Sequence, residues 1–378
     1  MKKSIKRSLQ AQIEAWLFRG KILILYGARQ VGKTTLCKAI IAAYGEDATY
    51  LNCEIESVKM SLSVKEPHIL KRFIGSKKII ILDEAQSVPE IGLVLKLLID
   101  TYPEMQIIAT SSSSFDLANR AAEPLTGRAL QFELYPFSYS EMGQIFNPLE
   151  KRAYLDYFMR FGFYPEIAFA DESDARFLLD NLSSSYLLKD ILIFENIKKA
   201  DVLVNLLRLL AMQIGNLVSY HEIATALKIS SATVERYIDL LEKSFVIFRL
   251  TPLSGNLRNE IGKKNKIYFY DLGIRNSLIQ QYQSTEFRLD KGAIWENFVI
   301  VERLKWLQAN NLRPNRFFWR NHQQVEIDYI EKRDERLDAY EIKWQDKRKT
   351  MPVVFQKTFP NAEFMVIHKE NFDTFITD

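Results

Sequence analysis

The chain has 378 residues, with 51 Lys and Arg against 47 Asp and Glu, and a net charge of +4 at pH 7. Its 47% hydrophobic and 26% charged residues exclude wholesale disorder and predict two or three globular domains. Only two cysteines are present, which excludes a disulfide scaffold, and no aliphatic run is long enough to span a bilayer. We therefore expect a cytoplasmic protein without a membrane partner.

Short aliphatic runs alternate with helix-length segments in the first third of the chain. Continuous apolar runs separated in this way are typical of a parallel sheet covered on both faces. The predicted buried strands are 22–26, 50–54, 79–82 and 106–110.

A glycine-rich segment follows the first predicted strand. Residues 27–34 fit the pattern G-x-x-x-x-G-K-[ST], with a strand before it and a helix after it. The glycines let backbone N–H groups curl around a phosphate, and the helix N-terminus adds its dipole. The predicted roles are a charge on the β- and γ-phosphates for Lys33 and a hydroxyl ligand to Mg²⁺ for Thr34. The predicted ATP-binding residues are Gly27, Ala28, Arg29, Gln30, Val31, Gly32, Lys33, Thr34 and Thr35.

Two acids end the aliphatic run 79–82. Asp83 is predicted to hold Mg²⁺, and Glu84 to polarise the attacking water. Thr110 ends the next strand, where it either senses the γ-phosphate, holds the water or simply closes the strand. Arg128 follows a glycine on a turn; it either stabilises transition-state charge, in cis or from a neighbouring chain, or caps the turn at the surface.

Helical patterns dominate the middle of the chain. A capped helix over 219–227, a turn over 228–230, a second helix over 231–243 and a strand over 245–250 predict a winged helix. If this module binds DNA, the start of its second helix enters the major groove. That segment carries one basic residue, whose charge is offset by one acidic residue, so a packing module between domains is the favoured alternative. The candidate contact residues are Ser231, Thr233, Glu235 and Arg236.

The last third predicts the order α-β-β-β-α-β, with strands over 316–320, 325–331, 337–344 and 363–368. If the strands pair in register, Asp328, Glu341 and Lys343 converge, with Glu296 close by. Carboxylate oxygens suit Mg²⁺, and a lysine can orient a water. The alternative is a charged, solvated sheet face.

Two basic runs, Lys263-Lys264 with Lys266 and Lys347-Arg348-Lys349, are candidate phosphate contacts, although such runs are more often solvated surface.

These motifs together resemble a prokaryotic family of predicted AAA+-type ATPases with an uncharacterised C-terminal region. The resemblance rests on the P-loop, on Asp83-Glu84 and on later landmarks such as Tyr268-Phe269-Tyr270-Asp271. The tail resembles the PD-(D/E)XK nuclease-like fold through Glu296, Asp328 and Glu341-Ile342-Lys343. In that family the strand carrying Thr110 usually ends in Gly-Ser-Ser, and here Thr110 replaces the glycine. The resemblance implies ATP binding.

We therefore predict three modules: a P-loop, AAA+-like ATPase domain over 1–138, a helical region with a winged helix over 139–258, and a PD-(D/E)XK-like α/β domain over 259–378. The predicted function is ATP hydrolysis with ATP and Mg²⁺ as cofactors, coupled to binding of or action on DNA or RNA. The alternative is an ATP-driven switch or scaffold with a non-cleaving C-terminal module. Protein partners and a homo-oligomer are left open.

Overall fold

A computed structural model describes residues 5–112, 125–186, 200–253, 264–346 and 349–377. The chain forms two compact units, one of residues up to 137 with 243–245, the other of residues 138–242 with 246–378. Within the described ranges, no helix combines the length and apolarity needed to cross a membrane. The three-module division stays a prediction.

The first unit contains a five-stranded parallel sheet. Its strands lie in the order β2-β3-β4-β1-β5, so the sheet is built by crossovers that helices complete. The strands are β1 (Ile22–Tyr26), β2 (Ala48–Asn52), β3 (Ile79–Asp83), β4 (Gln106–Ser111) and β5 (Ala129–Glu133). The helices are α1 (Leu9–Glu14), α2 (Lys33–Ile41), α3 (Glu56–Leu62), α4 (Pro67–Ile74) and α5 (Ile91–Thr101).

The predicted parallel sheet is confirmed, with all four predicted strands within two residues of their observed positions. β1, β3 and β4 are buried along their whole length, as continuous apolar runs require. β5 was not predicted: it has five residues and lies half-exposed at the sheet edge, so it lacks the continuous apolar run that marks the buried strands.

The second unit contains a six-stranded mixed sheet in the order β11-β10-β9-β8-β6-β7. Its strands are β6 (Ile247–Pro252), β7 (Lys266–Phe269), β8 (Asn315–Arg320), β9 (Glu326–Arg333), β10 (Arg336–Ile342) and β11 (Glu363–Ile367). Helices α6 to α16 are Tyr139–Met142, Pro148–Ala153, Leu155–Phe161, Glu172–Asn181, Ala200–Met212, Tyr220–Leu227, Ser231–Lys243, Leu272–Leu278, Lys291–Ala309, Val353–Thr358 and Phe372–Thr377.

The C-terminal elements follow the predicted order, α14-β8-β9-β10-α15-β11. β9 pairs antiparallel with β8 and β10, and β11 pairs parallel with β10. One face of these strands packs an apolar core that includes Trp319, Ile327 and Phe355.

The helix-turn-helix elements are present, and they connect directly to this sheet. The Ser219 hydroxyl accepts from the backbone of Glu222 to cap α11, and Lys228 has a left-handed backbone in the turn before α12. β6 pairs antiparallel with β7 and parallel with β8, so the strand after α12 belongs to the C-terminal sheet. The segment that would form the wing, 254–263, lies outside the described residues, and the winged helix stays a prediction.

Candidate active site

The glycine-rich loop joins β1 to α2 at the carboxyl edge of the parallel sheet. Gly32 has a φ of 98°, a left-handed conformation that glycine adopts without strain, and α2 begins at the next residue. A Cβ on Gly27 would lie 2.2 Å from the Leu134 carbonyl oxygen, so only glycine fits there. The first N–H groups of α2 therefore point into the loop, where they can bind an anion.

The Lys33 side chain lies inside this loop. It is 5% exposed, and its Nζ donates to the carbonyl oxygens of Gly27 at 2.8 Å and Ala28 at 3.2 Å. The same Nζ lies 3.7 Å from Glu84 Oε1. The structure thus brings the loop lysine close to Glu84, the acid that follows β3.

Asp83 ends β3 beside the start of α2. The Thr34 hydroxyl donates to Asp83 Oδ2 at 2.7 Å, so the two predicted metal ligands are in contact. A hydroxyl and a carboxylate are both hard oxygen donors, and Mg²⁺ is usually held by one or two such groups together with phosphate oxygens and water. The residues present therefore fit Mg²⁺ bound to a nucleotide.

Thr110 positions both acids. Its fully buried hydroxyl donates to Asp83 Oδ1 at 2.5 Å and accepts from the Glu84 backbone N at 3.0 Å. A hydroxyl has one proton to donate, and here that proton goes to Asp83. The side chain therefore orients the acid pair, and its predicted contact with a γ-phosphate or water stays a prediction.

Glu84 has a strained backbone that directs its side chain towards the loop. Its φ of 51° and ψ of 48° are left-handed, which is uncommon for a residue with a Cβ. The Gln86 side-chain amide donates to Glu84 Oε2 at 2.5 Å. Glu84 is held on one side by this amide and faces Lys33 on the other.

Tyr50 is a member of this cluster that sequence reasoning missed. It lies on edge strand β2, and its hydroxyl donates to Asp83 Oδ2. Burial first, and then the hydrogen bond to Asp83, raise the pKa of Tyr50 far above its ordinary value. A tyrosine within an apolar run indicates only a strand residue; its role depends on β2 lying next to β3.

Arg128 lies at the edge of the sheet opposite the loop, which favours the alternatives of a role from a neighbouring chain and a turn cap over a role in cis. It immediately precedes β5, which runs parallel to β1, and its carbonyl accepts from Ile22 at the start of β1. A five-residue strand rising about 3.3 Å per residue separates this edge from the loop by roughly 13 Å. Arg128 instead pairs with Asp100 at 2.7 Å. A role from a neighbouring chain stays a prediction.

The C-terminal candidates form a cluster in the second unit. Lys343 Nζ lies 3.2 Å from Asp328 Oδ2 and 2.8 Å from Glu341 Oε1, so these three side chains converge as predicted. Glu296 contacts a second lysine beside this cluster: its Oε1 lies 3.0 Å from Lys266 Nζ and accepts from Tyr268.

Lys266 was predicted to contact phosphates, and that prediction is wrong because its side chain is only 1% exposed. Two other lysines of the two basic runs have acidic partners. Lys264 is exposed and pairs with Glu222 at 3.5 Å, and Lys349 pairs with Glu341. Lys263, Lys347 and Arg348 lie outside the described residues.

The C-terminal acids fit a bound metal poorly. Burial is the largest cause that raises the pKa of Glu296, to about 7, and the nearby lysine opposes it. Within the parts of the chain that the structure describes, no group of three or more His, Cys, Asp or Glu side chains is suited to hold a metal ion in the present arrangement, in which lysines lie among the acids.

Comparisons with known proteins agree with the first unit. Residues 19–143 match a family model described as an AAA domain. With the parallel sheet and the loop, this match supports an AAA-type, ATP-binding and ATP-hydrolysing fold for the N-terminal part. Residues 152–285 and 291–376 match two families described as domains of unknown function.

Several curated relatives are uncharacterized proteins. One from Mycobacterium tuberculosis is 28% identical over 342 residues, covering 89% of this chain and 74% of its own. One from Methanocaldococcus jannaschii is 28% identical over 348 residues, covering 85% and 74%.

Among solved structures, the Aeropyrum pernix ORC1 protein in complex with DNA is 15% identical, with a TM-score of 0.35 over 74% of this chain and 94% of its own. The Thermotoga maritima RuvB branch migration motor is 16% identical, with a TM-score of 0.35 over 65% and 90%. Similarity at this level gives no basis for assigning a function.

The Tyr50 contact can be tested with Tyr50→Phe. Removing one hydrogen bond to a buried carboxylate is expected to cost about 1 kcal/mol, a roughly fivefold change. We expect the Mg²⁺ concentration that half-saturates ATP turnover to rise by about that factor. Tyr102→Phe is the matched control, because the described contact of Tyr102 with Lys71 is made through its ring. An unchanged Mg²⁺ dependence in Tyr50→Phe would contradict the assigned contact.

Proposed function

We propose that this protein is a Mg²⁺-dependent ATPase whose second unit binds nucleic acid in a manner coupled to the nucleotide state. The observation that carries the ATPase proposal is the convergence of two chain segments: Thr34 contacts Asp83 at 2.7 Å, and Lys33 lies 3.7 Å from Glu84. A lone glycine-rich loop is weaker support than a loop whose lysine and threonine both meet the acids of a neighbouring strand.

The proposed roles follow from this geometry. The backbone of residues 27–35 surrounds the phosphates, and the Lys33 ammonium faces the β- and γ-phosphates. Thr34 and Asp83 would hold Mg²⁺, which supplies charge neutralisation at the phosphates when bound. Glu84 orients and polarises the attacking water, while Tyr50 and Thr110 fix the carboxylate of Asp83.

Arg128 would act only between copies of the chain. Because it lies at the far edge of its own sheet, any contact with a nucleotide must be made in a neighbouring protomer. ATPases of this class gain large rate increases from an arginine supplied in trans. A homo-oligomer is therefore part of the proposal, and the Asp100 contact would open on assembly.

The ATPase proposal predicts different effects for Lys33→Ala and Glu84→Gln. Lys33→Ala removes the phosphate charge, so we expect ATP affinity to fall at least about tenfold. Glu84→Gln keeps the shape but removes the base, so we expect ATP still to bind while turnover falls at least about 100-fold. Isothermal titration and phosphate release measure the two quantities.

The chain offers a matched control for each variant. Glu90 also has a left-handed backbone, but it is exposed and pairs with Lys65, so Glu90→Gln should leave turnover unchanged. Lys77→Ala removes a half-buried lysine of the same unit, whose ammonium donates to the Glu46 carbonyl. Turnover equal to wild type in both Lys33→Ala and Glu84→Gln would refute the proposal.

Support for nucleic-acid binding comes from the helix-turn-helix elements. Ser231, Glu235 and Arg236 at the start of α12 are exposed, where a second helix of this motif contacts DNA, while Thr233 is half-buried and bonded to Ser230. The second candidate function is an ATP-driven switch that binds protein. The scarcity of positive charge on this helix face favours it, because phosphate neutralisation supplies most nonspecific affinity.

Duplex DNA and RNA binding, measured by fluorescence anisotropy with and without a non-hydrolysable ATP analogue, separates the two candidates. Nucleic-acid binding predicts that Arg236→Ala weakens affinity and lowers the slope of log K against log salt by about 1. Arg208→Ala, on an exposed position of α10, is the control. Absence of binding to both nucleic acids in both nucleotide states would favour the protein-binding switch.

A further inference from the structure

Lys266 is a buried lysine whose ammonium joins three elements of the second unit. It lies on β7 and is 1% exposed, and its Nζ is 3.0 Å from Glu296 Oε1 on α14 and 2.5 Å from Glu326 Oε1 on β9. The Tyr268 hydroxyl donates to the same oxygen of Glu296. The ammonium therefore sits among carboxylates, with its stem enclosed by protein.

The remaining acids of this cluster are also matched by cations. Asp328 Oδ2 accepts from Lys343 Nζ at 3.2 Å and from the Ile342 backbone at 2.8 Å. Glu341 accepts from Lys343 and Lys349, and Arg320 lies 3.2 Å from Glu326. Four carboxylates thus meet four basic side chains, and the cluster carries no net negative charge.

This arrangement conflicts with the metal that the nuclease-like resemblance implies. A hard divalent cation is bound by carboxylate oxygens, and a fixed ammonium among those oxygens both occupies them and repels a second positive charge. Because the Lys266 side chain is buried, its ammonium cannot swing out into solvent as that of an exposed lysine could. Its contacts with Glu296 and Glu326, and the nearby charge of Asp328, raise its pKa above the ordinary value against the opposing effect of burial.

We propose that the Lys266 ammonium takes the place of a divalent metal in the acidic cluster of Glu296, Glu326 and Asp328, and that the C-terminal α/β layer is therefore a non-cleaving binding module. The same lysine has a structural consequence. It fastens β7, which pairs with the strand following the helix-turn-helix, to α14 and β9. The cluster is a junction that holds the helix-turn-helix segment on the C-terminal sheet.

The proposal is tested by Mn²⁺ binding to the nucleotide-free full chain, followed by electron paramagnetic resonance. All samples carry Asp83→Asn, which removes the metal ligand of the first unit. In this background we expect Asp328→Asn to leave Mn²⁺ binding unchanged. We expect Lys266→Met to gain one bound Mn²⁺ per chain, and the added Asp328→Asn to abolish that gain. Lys264→Met, which removes an exposed lysine two residues away, is the control and should gain none.

Two results would overturn the proposal. One is a bound Mn²⁺ in the Lys266-containing chain that is lost with Asp328→Asn, and the other is a folded Lys266→Met chain that gains no Mn²⁺. Removing the lysine leaves the carboxylate of Glu296 without its cation and lowers the unfolding temperature. If Lys266→Met does not fold, the chains that keep Lys266, with and without Asp328→Asn, still test the proposal. Equal Mn²⁺ binding in these two chains supports it, and a loss of Mn²⁺ binding with Asp328→Asn overturns it. Because no nucleotide is present, the result is independent of ATP turnover.

Discussion

The geometry of the first unit depends on how one buried carboxylate is satisfied. Asp83 is 5% exposed, and a buried charged group is costly unless it is hydrogen-bonded. Three hydroxyls meet this requirement: Thr34 from α2, Tyr50 from β2 and Thr110 from β4. Each hydroxyl belongs to a different element, so satisfying one side chain fixes the start of the loop helix, the edge strand and the neighbouring strand relative to β3.

The two units treat their acids in opposite ways. In the first unit, three hydroxyls donate hydrogen bonds to Asp83 beside a loop suited to phosphates. In the second unit, four carboxylates meet four basic side chains, and the charges cancel within the protein: Glu296, Glu326, Asp328 and Glu341 with Lys266, Lys343, Lys349 and Arg320. Removing one partner of a buried pair is strongly destabilising, at about 3–5 kcal/mol, so the buried Lys266 stabilises the fold. Chemistry that needs a cation from solution is favoured only in the first unit.

Much of the fold followed from local patterns, because strand burial and loop spacing are properties of adjacent residues. The apolar runs predicted the parallel sheet, and alternation along β9 and β10 correctly brought Asp328 and Glu341 together with Lys343. Three features escaped prediction because they depend on strand order. Tyr50 reaches Asp83 only because β2 lies beside β3. Arg128 lies at the edge of the sheet opposite the loop because β5 runs parallel to β1. Lys266 stands in a basic run that resembles solvated surface, and its burial follows from the position of β7 against α14.

The central claim is that Asp83 is held in place to bind the magnesium of a magnesium nucleotide. The most direct measurement is the affinity of a fluorescent ATP analogue for wild type and Asp83→Asn, each titrated with Mg²⁺ present and with EDTA. The account predicts that Mg²⁺ raises the affinity of wild type for the analogue. It predicts that Mg²⁺ does not change the affinity of Asp83→Asn, while both proteins remain folded. Wild type that ignores the nucleotide, or an Mg²⁺ increment that survives in Asp83→Asn, would contradict it.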